Sequence, residues 1–146
     1  MMSYKKIAIL AGVFLVANLA SAKIKFSDVE KQTKEFIGYY QTIQLTADQE
    51  KSKKEALSGI PAPCCSDFSI ATCCCPCNLA KSVWGLSNFL ITRQNYTAAQ
   101  LKGAVQEWLQ FTNKSGYSGN SCNMGHCGQP FKHDGCGGMK ENQIVF

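Results

Sequence analysis

Nine cysteines in 146 residues constrain this chain more than any other feature of its sequence. The central group consists of Cys64, Cys65, Cys73, Cys74, Cys75 and Cys77, and the tail group consists of Cys122, Cys127 and Cys136. Thiols at this density act as cross-links or as metal ligands, so the fold has to bring sulfur atoms together. A chain of this length fits one small domain and is too short for a multidomain enzyme.

Residues 1–22 have the pattern of a secretory signal peptide. Two lysines precede an apolar run from Ile7 to Ala20, and Ala20-Ser21-Ala22 forms a small-residue cleavage site. The sequence therefore predicts cleavage after Ala22 and a periplasmic or secreted protein, with residues 23–146 as a single cysteine-rich domain. The apolar run is shorter than the ~20 residues that a spanning helix needs, so we expect no stable membrane span after cleavage.

The charge of the predicted mature chain is small. Lys5 and Lys6 fall in the leader, so the formal net charge decreases from +5 to +3. A charge of this size, scattered along the chain, does not predict a nucleic-acid partner. The sequence also contains no Gly-x-Ser-x-Gly motif and no phosphate-binding glycine loop, so hydrolase and nucleotide chemistry have no candidate residues.

Capping signals and apolar spacing predict a mostly α fold, a small bundle of about four helices without strands. Capping boxes at residues 27–30, 46–49 and 97–100 predict the starts of the first, second and fourth helices. Gly59 is expected to end the second helix in a left-handed conformation, and Ile60–Pro63 to form an extended linker. Pro76 is expected in the first turn of the third helix.

Apolar residues at helical spacing predict which faces are buried. The first helix is expected to bury Val29, Phe36, Ile37 and Tyr40, the third Leu79, Val83, Leu86 and Leu90, and the fourth Leu101, Val105, Trp108 and Leu109. Residues 113–146 form an irregular tail that holds seven of the twelve glycines and little apolar periodicity. Such a tail cannot be held by core burial, so disulfides or a metal have to close it.

The preferred interpretation of the cysteines is a soft-metal site. The primary ligands are expected to be Cys73, Cys74, Cys75 and Cys77, with Cys122, His126, Cys127 and Cys136 closing over them from the tail. Thiolates favour Cu(I) or Zn(II), and the nearby methionines Met124 and Met139 favour copper over zinc. The sequence therefore predicts copper, or alternatively zinc, bound for sequestration or delivery, with another metal-handling or redox protein of the envelope as a possible partner.

A disulfide framework is the first alternative. It suits an exported chain of this size and explains the glycine-rich tail, and on this interpretation the protein has a structural or interaction role and no cofactor. Nine is an odd number, however, so a monomer keeps at least one unpaired thiol. Neighbouring cysteines such as Cys64 and Cys65 also bridge each other only with strain.

Redox catalysis is the second alternative. Cys74-Cys75-Pro76-Cys77, preceded by residues 67–72 and followed by a predicted helix, locally resembles the active-site segment of thioredoxin-like oxidoreductases. The resemblance implies that Cys74 attacks a substrate disulfide and that Cys77 resolves the mixed disulfide. It covers about a dozen residues, and Cys73 stands where that family usually has tryptophan.

Overall fold

Four α-helices make up most of the described structure, as the sequence predicts. The computed structural model describes residues 23–63, 65–73, 77–112, 122–123 and 126–127. The helices are α1 (Val29–Thr42), α2 (Ala47–Ser58), α3 (Asn78–Gln94) and α4 (Ala98–Thr112). The predicted leader, residues 1–22, and most of the tail, residues 113–146, lie outside the described residues. The mostly α fold class is confirmed.

Two short hairpins and a 3-10 turn accompany the helices. Strand β1 (Pro61–Ala62) pairs antiparallel with β2 (Cys65–Ser69), and the 3-10 turn Ile70–Thr72 follows β2 directly. In the tail, β3 (Cys122–Asn123) pairs antiparallel with β4 (His126–Cys127). The prediction of a chain without strands is wrong at these places, because strands of two to five residues are too short to show alternation.

The capping boxes locate the starts of α2 and α4. The Thr46 hydroxyl accepts the Gln49 amide at 3.3 Å, and the Gln49 side chain accepts the Thr46 amide at 2.9 Å. Thr97 and Gln100 repeat this arrangement at the start of α4, with the same two distances. These predictions succeed because a capping box depends only on residues three apart in the sequence.

The ends of α1 and α2 differ from the predictions. The residue that caps α1 is Asp28, whose carboxylate accepts the Lys31 amide at 2.9 Å, and the Gln32 side chain accepts the Ser27 and Asp28 amides. The cap is therefore displaced by one residue, since Asp28 is as good a cap as Ser27, and Gln32 accepts the backbone amides in place of Glu30. Gly59 ends α2 with φ −87°, outside the left-handed region.

Helix α3 lies at the centre of the bundle and is buried on most of its surface. Its predicted apolar stripe is at most 1% exposed, and the four apolar residues predicted for α4 are also buried. In α1, Phe36 and Ile37 are buried as predicted, whereas Tyr40 is 41% exposed and packs on the Trp84 ring. The core therefore forms between α3 and the helices on either side of it.

The backbones of α1 and α3 come into direct contact at Gly85. A Cβ atom at this position would lie 1.7 Å from the Phe36 carbonyl oxygen and 2.7 Å from the Tyr40 nitrogen. No other residue type fits between the two helices without moving one of them. Beside this contact, the Tyr39 and Phe89 rings stack with centroids 4.7 Å apart.

Polar side chains connect α3 to its neighbours inside the bundle. The Trp108 indole N–H on α4 donates to the Ser82 hydroxyl at 2.9 Å, and both residues are fully buried. The Asn88 side chain donates to the Ile43 carbonyl at 2.9 Å and accepts from the Lys53 ammonium at 3.0 Å. These bonds fix the register of α3, because a shift along its axis would leave buried polar groups without partners. In the described part of the chain, no helix has the length and apolar character needed to cross a membrane.

Candidate metal centre

Helix α3 begins directly after a cysteine. Cys77 is the N-cap of α3, where its Sγ accepts the Ala80 amide N–H at 3.5 Å and its carbonyl accepts the Lys81 amide at 2.9 Å. The sulfur occupies the position that a serine or threonine oxygen usually takes at a helix start. Free amides and the positive end of the helix dipole favour a thiolate over a thiol there. Helix α3 begins at Asn78, and Pro76, predicted in its first turn, lies outside the described residues.

Cys73 is held in place by the 3-10 turn that precedes it. Within that turn, Ile70 is 1% exposed, its amide donates to the Ile60 carbonyl at 2.8 Å, and its carbonyl accepts the Trp84 indole N–H at 2.8 Å. Cys73 and Cys77 are both partly buried and pack against the hydrophobic core. Both ends of the segment from Cys73 to Cys77 are therefore anchored to α3. Cys77 directly precedes the first residue of the helix, and Cys73 follows a turn that is hydrogen-bonded to Trp84.

Chain length keeps the four cysteines of this segment close together. One peptide unit spans at most about 3.6 Å, so the four units between Cys73 and Cys77 span at most about 14 Å. Cys74 and Cys75 lie outside the described residues, but the covalent chain sets this limit for them as well. This limit allows the four thiols to converge on one metal ion or a small cluster, as the sequence predicts.

A cavity of about 420 Å³ opens between α2 and the 3-10 turn next to Cys73. Its lining consists of Glu50, Lys51, Lys53, Lys54, Leu57, Ala71 and Thr72. The Lys53 side chain is only 14% exposed and pairs with Glu50 at 3.2 Å while it donates to Asn88. The cavity lining carries three lysines and one glutamate, so its formal charge is positive.

The backbone register of the tail hairpin pairs two predicted ligands. Cys122 lies opposite Cys127, and Asn123 lies opposite His126. Opposed positions in an antiparallel ladder are the closest cross-strand neighbours. The backbone pairing thus makes Cys122 and Cys127 neighbours across the hairpin, with His126 at the adjacent register position.

The other predicted ligands are not tested by the structure. Cys136, like Cys74 and Cys75, lies outside the described residues, as do Met124 and Met139. Among the residues that the structure describes, no group of three or more His, Cys, Asp or Glu side chains is arranged to hold a metal ion. Convergence of the tail on the central cysteines remains a prediction.

Sequence reasoning missed two contacts around the cysteine segment and the helix that follows it. The Trp84 N–H bond to Ile70 holds the turn before Cys73, and the Lys53–Asn88 bond joins α2 to α3; they link residues 14 and 35 positions apart. Their sequence signals are weak: Trp84 only widens the apolar stripe of α3, and Lys53 belongs to a charged run on α2. Both gain their roles from tertiary packing.

A scan against protein-family models, a search of curated proteins and a search of solved structures each found no match to this chain.

Proposed function

We propose that this protein binds a soft metal ion, copper in preference to zinc, for sequestration or delivery outside the cytoplasm. The primary thiolates are those of Cys73, Cys74, Cys75 and Cys77. The tail group that completes the site consists of Cys122, His126, Cys127 and Cys136.

The observation that carries the proposal is the anchored segment at the start of α3. Cys77 accepts an amide N–H through its sulfur, and Cys73 follows a turn hydrogen-bonded to Trp84. Fixing both ends lowers the entropy that the segment would otherwise lose when its sulfurs converge on an ion. The amide and the helix dipole at the start of α3 both favour the ionised sulfur that binds metal.

The choice of copper follows from ligand chemistry. Thiolate and thioether ligands are soft and select Cu(I), whereas structural zinc sites use cysteine and histidine. Thiolate and thioether ligands occur together in the tail, where Met124 lies between Cys122 and Cys127 in the sequence. Zinc bound by cysteines and histidine is the alternative.

The disulfide framework remains a second candidate, because the register of β3 and β4 places Cys122 opposite Cys127. The thioredoxin-like alternative gains no comparable support. In the described part of the chain, β2 pairs only with the two-residue strand β1, whereas a thioredoxin-like active site is built on a β-α-β unit in a larger sheet.

Two substitutions of Cys77 distinguish a role as a metal ligand from a role as a helix cap. C77S keeps an N-cap oxygen and removes the thiolate, whereas C77A removes both. We expect metal-free C77S to match the wild type in free energy of unfolding, and C77A to lose about 1 kcal/mol. Both variants should bind Cu(I) at least tenfold more weakly than the wild type in a competition titration with a chromogenic chelator. Wild-type copper affinity in C77S would contradict the assignment of Cys77 as a ligand.

A further inference from the structure

The pairing of β3 with β4 places two cysteines at opposed positions of the ladder, Cys122 and Cys127. Opposed residues in an antiparallel pair have Cα atoms about 4.5 Å or about 5.5 Å apart, depending on the hydrogen-bonding phase. A disulfide requires about 4.4–6.8 Å between these atoms. The register therefore meets the distance requirement for a disulfide in either phase.

We propose that Cys122 and Cys127 form a reversible disulfide, and that this bond and metal binding exclude each other in the tail. The second half of the inference rests on the proposed function, because only a tail that supplies thiolates can lose them by oxidation. As a dithiol, the pair adds two soft ligands to the site. As a disulfide, it adds none, since the thiolate is the ligand form of cysteine.

The chemistry is thiol–disulfide exchange with an oxidised thiol compound of the envelope. One cysteine thiolate attacks a sulfur of the oxidant, whose S–S bond breaks and releases one thiolate. The second cysteine then attacks the mixed disulfide, forms the Cys122–Cys127 bond and releases the other thiolate. Two electrons pass from the pair to the oxidant, and the two cysteine protons leave on the two released thiols.

Chain connectivity favours this pairing over the other pairings open to the tail. Only four residues separate Cys122 from Cys127, whereas Cys136 lies nine residues further on and the central group lies more than forty residues away. The entropy lost on closing a loop grows with its length, so the short loop closes most readily. The hairpin register removes part of even that cost, because it aligns the two positions before oxidation.

Tryptic peptide mapping measures the redox state of this pair separately from the other seven cysteines. Cleavage after Lys114 and Lys132 gives a peptide of residues 115–132 whose only cysteines are Cys122 and Cys127. Cys136 falls in residues 133–140, and all six central cysteines fall in residues 55–81. The reduced full chain is exposed to oxidised glutathione with and without prior loading with Cu(I). It is then denatured with chelator, and remaining thiols are alkylated without reductant.

Without copper, we expect peptide 115–132 to carry no alkyl group and to be lighter than its reduced form by two hydrogen atoms. With copper bound, the same peptide should carry two alkyl groups. Without copper, C136S should still give the closed peptide, and C122S should show no closed peptide. In a separate titration, the oxidised chain should bind fewer copper ions than the reduced chain, or bind them more weakly.

A peptide that stays doubly alkylated after oxidation without copper would overturn the inference, and so would linkage of this peptide to residues 55–81 or 133–140. A closed peptide with unchanged copper content and affinity would overturn the exclusion and leave the proposed function intact. A fully reduced chain that binds no copper would instead refute the proposed function, and the exclusion with it, even where the disulfide forms.

Discussion

Replacing Gly85 with alanine tests the packing that positions the candidate site. This residue lies on the helix that Cys77 caps, at the point where α3 touches the backbone of α1. An added Cβ would lie 1.7 Å from the Phe36 carbonyl oxygen, about half of an ordinary contact distance. Because the obstacle is backbone, no side-chain rotation relieves the clash, and the two helices have to separate.

Two opposing effects set the size of the change. Alanine in a helix interior is favoured over glycine by about 1 kcal/mol. Overpacking a well-packed contact costs about 1–3 kcal/mol, and a clash with backbone belongs at the upper end of that range. We therefore expect G85A to lose about 2 kcal/mol in free energy of unfolding.

The chain contains two matched controls for this substitution. Gly38 in α1 and Gly103 in α4 are also helical, but a Cβ atom at either position would meet nothing within 4 Å. G38A and G103A should therefore gain about 0.5–1 kcal/mol, which is the propensity effect alone.

Urea unfolding of the reduced, chelator-treated variants, followed by tryptophan fluorescence, measures these differences. G85A should unfold at a lower urea concentration than the wild type, and both controls at a higher one. If G85A is as stable as G38A, the close approach of α1 and α3 is not present in the protein and the description of the bundle fails.

Two further predictions concern a buried hydrogen bond and a partly buried tyrosine. S82A leaves the buried Trp108 N–H without its acceptor and should lower the free energy of unfolding by about 1–3 kcal/mol. S87A removes a hydroxyl that bonds only to Val83 in its own helix, so it should lower the free energy of unfolding by less. Equal losses in urea unfolding would contradict this. Burial and the hydrogen bond to Glu35 raise the pKa of Tyr39 from 10.0 to about 12. Its contribution to stability is therefore complete below pH 10 and is lost as the pH rises toward 12, because the unfolded chain ionises first. The wild type should lose stability relative to Y39F over that interval, and parallel pH profiles of the two proteins would refute the assignment.

The fold could be predicted from sequence wherever the determining interactions are local. Residues three apart form the capping boxes at Thr46 and Thr97, and apolar residues three or four apart define the buried stripe of α3. The contact at Gly85 could not be predicted, because a glycine within a helix gives no indication of which backbone approaches it. The cap of α1 is Asp28 and not the predicted Ser27, because both residues suit an N-cap and local sequence does not distinguish them.

Some features of the candidate site could likewise be predicted from sequence, and others could not. Proximity of Cys73, Cys74, Cys75 and Cys77 follows from chain length alone, and the position of Cys77 beside free amides follows from the start of α3. The hydrogen bond from Trp84 that holds the preceding turn comes from tertiary structure. The pairing of Cys122 with Cys127 could not be read from sequence either, since strands of two residues carry no periodic signal.

Metal content and thiol count, measured on one sample of the protein purified from its native source without chelator, test the central claim most directly. We predict copper or zinc in near-stoichiometric amount, with several thiols becoming reactive and stability decreasing when a chelator removes the metal. A metal-free protein with eight of its nine cysteines joined in disulfides, and with a stability that chelator does not change, would contradict the account.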